Sequence, residues 1–138
     1  MKYLIDTDIA SYYLRGKYNL NKVFEEKLIV NLTLSIITVA ELEVLAHKNP
    51  QSKINLLTIT QLADLLGIIN LNHETWQIFS ATKAKTLSIG KPKGDFDLLQ
   101  ASIAKQNNLI LVTHNLDHYK DIIDCEDWTT TYSALGQR

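Results

Sequence analysis

Four carboxylates stand where a divalent ion or a phosphate group can be handled: Asp6, Glu41, Asp97 and Asp117. Asp6 follows directly on the apolar run Tyr3-Leu4-Ile5, at the point where a strand buried on both faces would stop. In open α/β sheets that edge is where ligands bind. If its segment is helical, Glu41 shares a face with Ile37, Val44 and Leu45, whereas Glu43 falls on the opposite face as an ordinary solvated charge. A buried carboxylate without a partner costs several kcal/mol or is neutralised, so Glu41 wants a cation. Asp97 lies in the first turn of a helix, where the dipole favours an anion, and its face continues into the small residues Ala101 and Ala104. Asp117 follows a second apolar strand that ends at Thr113.

Each acid also has a plainer reading. Asp6 can cap the first helix, Glu41 can be the capping-box partner of Thr38, and Asp117 can be a loop residue. Asp95 is the better candidate for capping the helix that carries Asp97. Several acids at the ends of separate strands and helices are hard to explain as caps, however. Like charges converging in one crevice repel, and a divalent metal relieves that repulsion. With no Cys or His cluster present, oxygen ligands suit Mg²⁺ or Mn²⁺ rather than zinc. Such an ion favours phosphodiester hydrolysis. Arg15, Lys17, Lys91 and Lys93 fall in loops that either rim the same edge and hold phosphates or form ordinary solvated surface.

The elements that must position these groups alternate along the chain. Thr7 or Asp8 caps a helix running to about Leu14, and a second short helix follows from Asn19 to Leu28. Leu32 to Ile36 alternates as a strand, and a helix opens at Thr38. A long helix is expected from Pro50 to Leu66, a strand over Gly67 to Leu71, and a helix capped by Asn72 to about Leu87. Lys91-Pro92-Lys93-Gly94 reads as a loop, Asp95 to Gln106 as a helix, and Leu109 to Thr113 as an apolar strand. The stretch from Asp121 to Trp128 holds at most one more short strand. This alternation predicts a three-layer α/β/α sandwich around a mainly parallel sheet, with right-handed crossovers.

Composition narrows the setting. A chain of 138 residues with 46% hydrophobic content fits one domain spanning 1–138. The single cysteine excludes an internal disulfide framework, and neither a signal peptide nor a spanning helix is expected, so a cytoplasmic protein away from membranes is the expectation. A net charge of −1 argues against a protein held on nucleic acid by bulk positive charge. It leaves room for a nuclease with a local basic rim.

Four ordered stretches resemble a known family. They are Leu4-Ile5-Asp6-Thr7-Asp8, Ile36-Ile37-Thr38-Val39-Ala40-Glu41-Leu42, Gly94-Asp95-Phe96-Asp97-Leu98-Leu99-Gln100-Ala101 and Leu111-Val112-Thr113-His114-Asn115, with Glu126-Asp127-Trp128 closing the pattern. Together they look like the PIN domain, and more narrowly the VapC-type toxins of bacterial toxin–antitoxin pairs. The resemblance implies an endoribonuclease dependent on Mg²⁺ or Mn²⁺, a homodimer, and a cognate antitoxin protein that crosses the active-site groove. By position it makes Asp6, Glu41 and Asp97 the metal-binding acids. Where many members carry a fourth acid this chain has Asn115, with Asp117 two positions later. Asn115 would then reach metal through water, and Thr7 and Thr113 would orient the acids. Asp8 stands where Asn is common, and either adds charge to the pocket or caps the helix. The mechanism implied has water, held at Asp6 and Asp97, attacking phosphorus while Glu41 fixes the ion or orients that water.

Competing readings are an Asp6-Thr7-Asp8 nucleophile motif of the haloacid-dehalogenase type and a non-catalytic RNA- or partner-binding module. Ala10 and the short chain count against the first. Clustered anions facing phosphates count against the second. Tyr12, Tyr13, Tyr18 and Trp76 are read chiefly as packing residues, with an interface or base stacking as alternatives.

Overall fold

The computed structural model describes residues 1–130, and their architecture follows the expected alternation. Five strands form one parallel sheet: β1 (Tyr3–Ile5), β2 (Leu32–Ser35), β3 (Ile68–Ile69), β4 (Ile110–Val112) and β5 (Cys125–Glu126), in the order β3-β2-β1-β4-β5. β1 is central: Tyr3 pairs with Leu32 on one side and Ile110 on the other, and Ile5 with Val112. Its side chains alternate between two cores. Tyr3 and Ile5 join a cluster with Phe24, Leu42, Leu62 and Trp128, while Leu4 joins Leu99, Ile103, Leu111 and Tyr119. Because helices cover both faces, both sets are apolar, and the strand reads as an unbroken hydrophobic run.

The covering helices are α1 (Thr7–Leu14), α2 (Leu20–Lys27), α3 (Ile36–Lys48), α4 (Leu56–Leu66), α5 (His73–Ser88), α6 (Asp95–Gln106) and the single turn α7 (Leu116–Tyr119). Among the described residues, no helix is long and apolar enough to cross a membrane. Cys125 is a free thiol.

Several caps differ from expectation, each for a local reason. The cap of α1 is Asp6, whose carboxylate accepts from the Thr7 N–H; neither Thr7 nor Asp8 takes that place. α3 begins two residues before Thr38, because the Ser35 hydroxyl accepts from the Thr38 N–H, so Thr38 and Glu41 form no capping box. Pro50 lies outside α4. That helix starts after Asn55, which exchanges hydrogen bonds with Thr58 in a capping box, and it stops at Gly67, whose φ of 82° turns the chain into β3. α5 is capped by Asn72 as the sequence predicts. At α6 the cap is Gly94 rather than Asp95, whose carboxylate pairs instead with Lys83 of α5 at 2.7 Å.

Candidate active site

Four elements meet at one crevice beside the carboxyl edge of the sheet. β1 delivers Asp6 and α1 continues with Thr7 and Asp8; the second turn of α3 delivers Glu41; the first turn of α6 delivers Asp97. All five residues line one cavity of about 290 Å³, together with Ser11, Leu45, Asn115 and Tyr119.

Asp6 is held on all sides. It is 9% exposed. One oxygen accepts from the Thr7 N–H at 2.9 Å and the Gln100 side-chain amide at 3.0 Å, and the other accepts from the Thr113 hydroxyl at 2.9 Å. Burial, with the neighbouring Asp8 charge adding to it, pushes the Asp6 carboxyl up to about 6, against these three donors. Burial also raises Asp8, whose oxygens accept from the backbone N–H groups of Ile9 at 2.7 Å and His114 at 3.0 Å. Glu41 accepts from the Thr7 hydroxyl at 2.6 Å. The Tyr119 hydroxyl donates to Asp97 Oδ1 at 2.9 Å, and His118 Nδ1 lies 3.6 Å from Oδ2.

Behind these acids runs a buried polar chain. Gln100, only 1% exposed, donates to Asp6 and to the Thr38 hydroxyl at 2.8 Å, while its carbonyl oxygen accepts from Ser35. Thr38 lies 3.3 Å from the Thr7 hydroxyl, which continues to Glu41. Among the described residues no buried side-chain nitrogen or oxygen lacks a partner. The acids on the sheet side are therefore fixed in direction before any ligand arrives.

The structure separates other expected residues from this cavity. Asp117 is 87% exposed in its side chain and pairs with Lys120 at 2.7 Å, which holds its carboxyl below the usual range. Asp95 is turned to Lys83. Lys93 pairs with Asp121 at 3.1 Å, and Lys91 lines a different cavity between α5 and α6. Arg15 does approach: its guanidinium donates to Ser11, a lining residue. Gln100 and Tyr119 were not singled out from the sequence. A glutamine three residues after Asp97 was the only available signal for the first; the tyrosine carries none. Tyr13 stacks on Phe24 at 4.4 Å, Tyr12 meets Tyr18 edge-on at 5.0 Å, and Trp76 meets Phe79 at 5.5 Å.

The family model described as "PIN domain" matches residues 3–122. The chain belongs to the PIN-domain family. It is similar to "Ribonuclease VapC2" of Haemophilus influenzae, 28% identical over 93% of this chain and 98% of that one. It is also similar to "tRNA(fMet)-specific endonuclease VapC" of Shigella flexneri, 24% identical over 94% of this chain and 99% of that one. The PIN fold superposes on VapBC-1 from nontypeable Haemophilus influenzae with a TM-score of 0.79 at 27% identity, covering 94% of this chain and 99% of that one. DNA-bound VapBC from Salmonella typhimurium gives a TM-score of 0.84 at 23% identity, over 93% and 98% of the two chains, and speaks to the fold alone.

The residues present fit a hard divalent cation. Four carboxylates and an amide face one open cavity with no thiol or imidazole among its lining. Among the described residues no three acids, histidines or cysteines close around a point as a complete ligand set. Oxygen donors of this kind suit an ion such as Mg²⁺, which keeps several waters and takes one or two protein carboxylates plus substrate phosphate.

Proposed function

We propose that this protein is a single-domain endoribonuclease dependent on Mg²⁺ or Mn²⁺, the toxin partner of a cognate antitoxin protein, acting as a homodimer in the cytoplasm. The observation that carries the reading is the convergence of Asp6, Glu41 and Asp97, from three separate elements, on one cavity. An ion bound there supplies an activated water and positive charge for the phosphodiester oxygens. Asp6 and Asp97 hold the ion. The Gln100 amide, the Thr113 hydroxyl and the Thr7 N–H fix the direction of Asp6, and the Tyr119 hydroxyl fixes that of Asp97. Glu41, anchored through one oxygen by Thr7, orients the attacking water with the other. Asn115 reaches the site from the end of β4 as a neutral group in place of a further acid.

Support for the antitoxin comes from the likeness to VapBC-1, and support for self-association from large apolar side chains left exposed, such as Leu57 and Leu65 of α4 and Leu87 of α5. The phosphatase reading is set aside because the PIN match spans the residues concerned.

Purified protein is expected to cut RNA in Mn²⁺ or Mg²⁺, to stop in EDTA, and to recover when the ion is returned. Asp97→Asn should lower cleavage by about 1000-fold, the scale on which a lost charge-stabilising group acts. Cleavage indifferent to chelation would sink the metal mechanism.

A further inference from the structure

A second cavity, of about 520 Å³, opens next to the acid pocket, and its charge is opposite. Arg15, Lys17, Lys48 and Lys53 line it, with no carboxylate among its lining residues. None of these four cations forms an ion pair with an acid of the described residues. Three lysines elsewhere are paired, Lys83 with Asp95, Lys93 with Asp121 and Lys120 with Asp117. Lys85, Lys91 and Lys105 form no ion pair among the described residues but share their cavity with Asp121. What sets this cleft apart is four cations with no acid in its lining. The negative end of α3 accounts for Lys48 alone. Lys17 and Lys53 belong to no helix, and Arg15 lies just past α1.

The two cavities adjoin. Leu45 lines both, and the Arg15 guanidinium donates to Ser11 of the acid pocket. Along α3, Glu41, Leu45 and Lys48 follow one face at helical spacing, so Lys48 stands about 10 Å along the axis from the catalytic carboxylate. An anionic strand whose scissile phosphate sits at the acids meets unneutralised cations within two turns of helix.

We infer that this basic cleft holds the backbone phosphates of the RNA strand adjoining the scissile bond. The inference rests on the ribonuclease reading and names a binding surface for its substrate. Its occupant is a phosphate backbone rather than particular bases, because mobile lysine ammonium groups act as point charges and read no base edge. Repulsion between the acid pocket and phosphate makes such a grip necessary, since the acids alone disfavour the substrate.

The test measures binding apart from cutting. In an Asp97→Asn background with Mg²⁺, a short unstructured RNA labelled with a fluorophore is titrated with protein across a range of salt concentrations. The double change Lys48→Gln and Lys53→Gln should weaken binding about tenfold at low salt and flatten the dependence of log affinity on log salt by about 1.4, two single-strand phosphate contacts' worth. In the otherwise wild-type enzyme the same pair should raise KM. Lys85→Gln with Lys105→Gln, the same charge change in a cavity sharing no residue with either site, is the control. Equal affinity and equal salt slope for the two double variants would overturn the cleft. So would unchanged RNA affinity accompanied by lost affinity for purified antitoxin, which would make the cleft a protein-docking surface, and so would an absence of RNA binding by any form. Intact RNA with the wild-type protein, beside a clear binding loss in the cleft variant, would instead remove the nuclease reading and leave the cleft standing.

Discussion

The acid pocket and the basic cleft share helix α3 and are built by opposite means. In the pocket, Asp6 accepts from three donors that come from α1, α6 and the end of β4, and burial lifts its pKa to about 6. In the cleft, all four cations are exposed, and only Arg15 has a side-chain hydrogen bond. Chemistry at phosphorus requires groups held in place, because a small misplacement costs orders of magnitude in rate. Holding a flexible polyanion requires only charge in the right region. The protein therefore places a buried network on one side and exposed cations on the other.

The largest expected effect that sharpens this contrast is the loss of cleavage in Asp97→Asn. Next is the electrostatic cost of the pocket. The folded-state value of Asp6, about 6, lies above its ordinary 3.8, so the native state holds this proton more tightly than the unfolded chain. The resulting stability is complete below about pH 4 and is lost as pH rises through 6, a change of about 3 kcal/mol. Metal-free protein should accordingly melt at a lower temperature at pH 7.5 than at pH 5, and Mn²⁺ should restore the melting temperature at pH 7.5. Asp6→Asn should remove most of this dependence and raise the metal-free melting temperature at pH 7.5. A variant that melts lower than wild type there would show that the carboxylate is not under strain.

Gln100→Leu tests the network itself. It leaves the Ser35 hydroxyl without its side-chain partner, removes the amide donor to Thr38, and should destabilise the fold by about 1–3 kcal/mol. It should also weaken Mn²⁺ binding by about 10–100-fold, as loss of an orienting group behind a ligand does. Calorimetric titration with Mn²⁺ reads this directly; unchanged affinity would mean that Asp6 keeps its direction without the amide. The smallest effect is expected at Asp117. Exposed and paired with Lys120, it should tolerate Asp117→Asn with a stability change of about 0.5 kcal/mol or less and cleavage near the wild-type rate. A large drop in cleavage would bring the Asp117 carboxylate into the pocket during turnover.

The parts legible in the sequence were those written in local pattern. Tyr3-Leu4-Ile5 and Ile110-Leu111-Val112 declare central strands because both sheet faces are covered, and Asn72 before a helical stretch declares a cap. The junction at Ser35 was less legible, since Ser35 and Thr38 both carry hydroxyls and only the backbone path decides which one caps. Pro50 hid the true start of α4, because the Asn55–Thr58 box competes with a residue equally at home in a first helical turn. In the site, Asp6, Glu41 and Asp97 stood out as charges among apolar neighbours. Gln100 and Tyr119 act through partners 94 and 22 residues away, a relation that no local period encodes. Lys91 and Lys93 were expected at the rim, but the loop before α6 carries them toward Asp121 and α5 instead.

The central position of β1 also sets a timetable. Its neighbour β4 is made late, and the hydrogen bond from Thr113 to Asp6 spans 107 residues. At about 5–20 residues per second of synthesis, Asp6 leaves the ribosome's catalytic centre roughly 5–20 s before its partner exists. Until then the strand that carries the first acid has only β2 beside it, and the carboxylate of Asp97 has no Tyr119. A nascent chain thus lacks the hydroxyl groups that direct Asp6 and Asp97 for most of its own translation, and a chain cut short before β4 never acquires them.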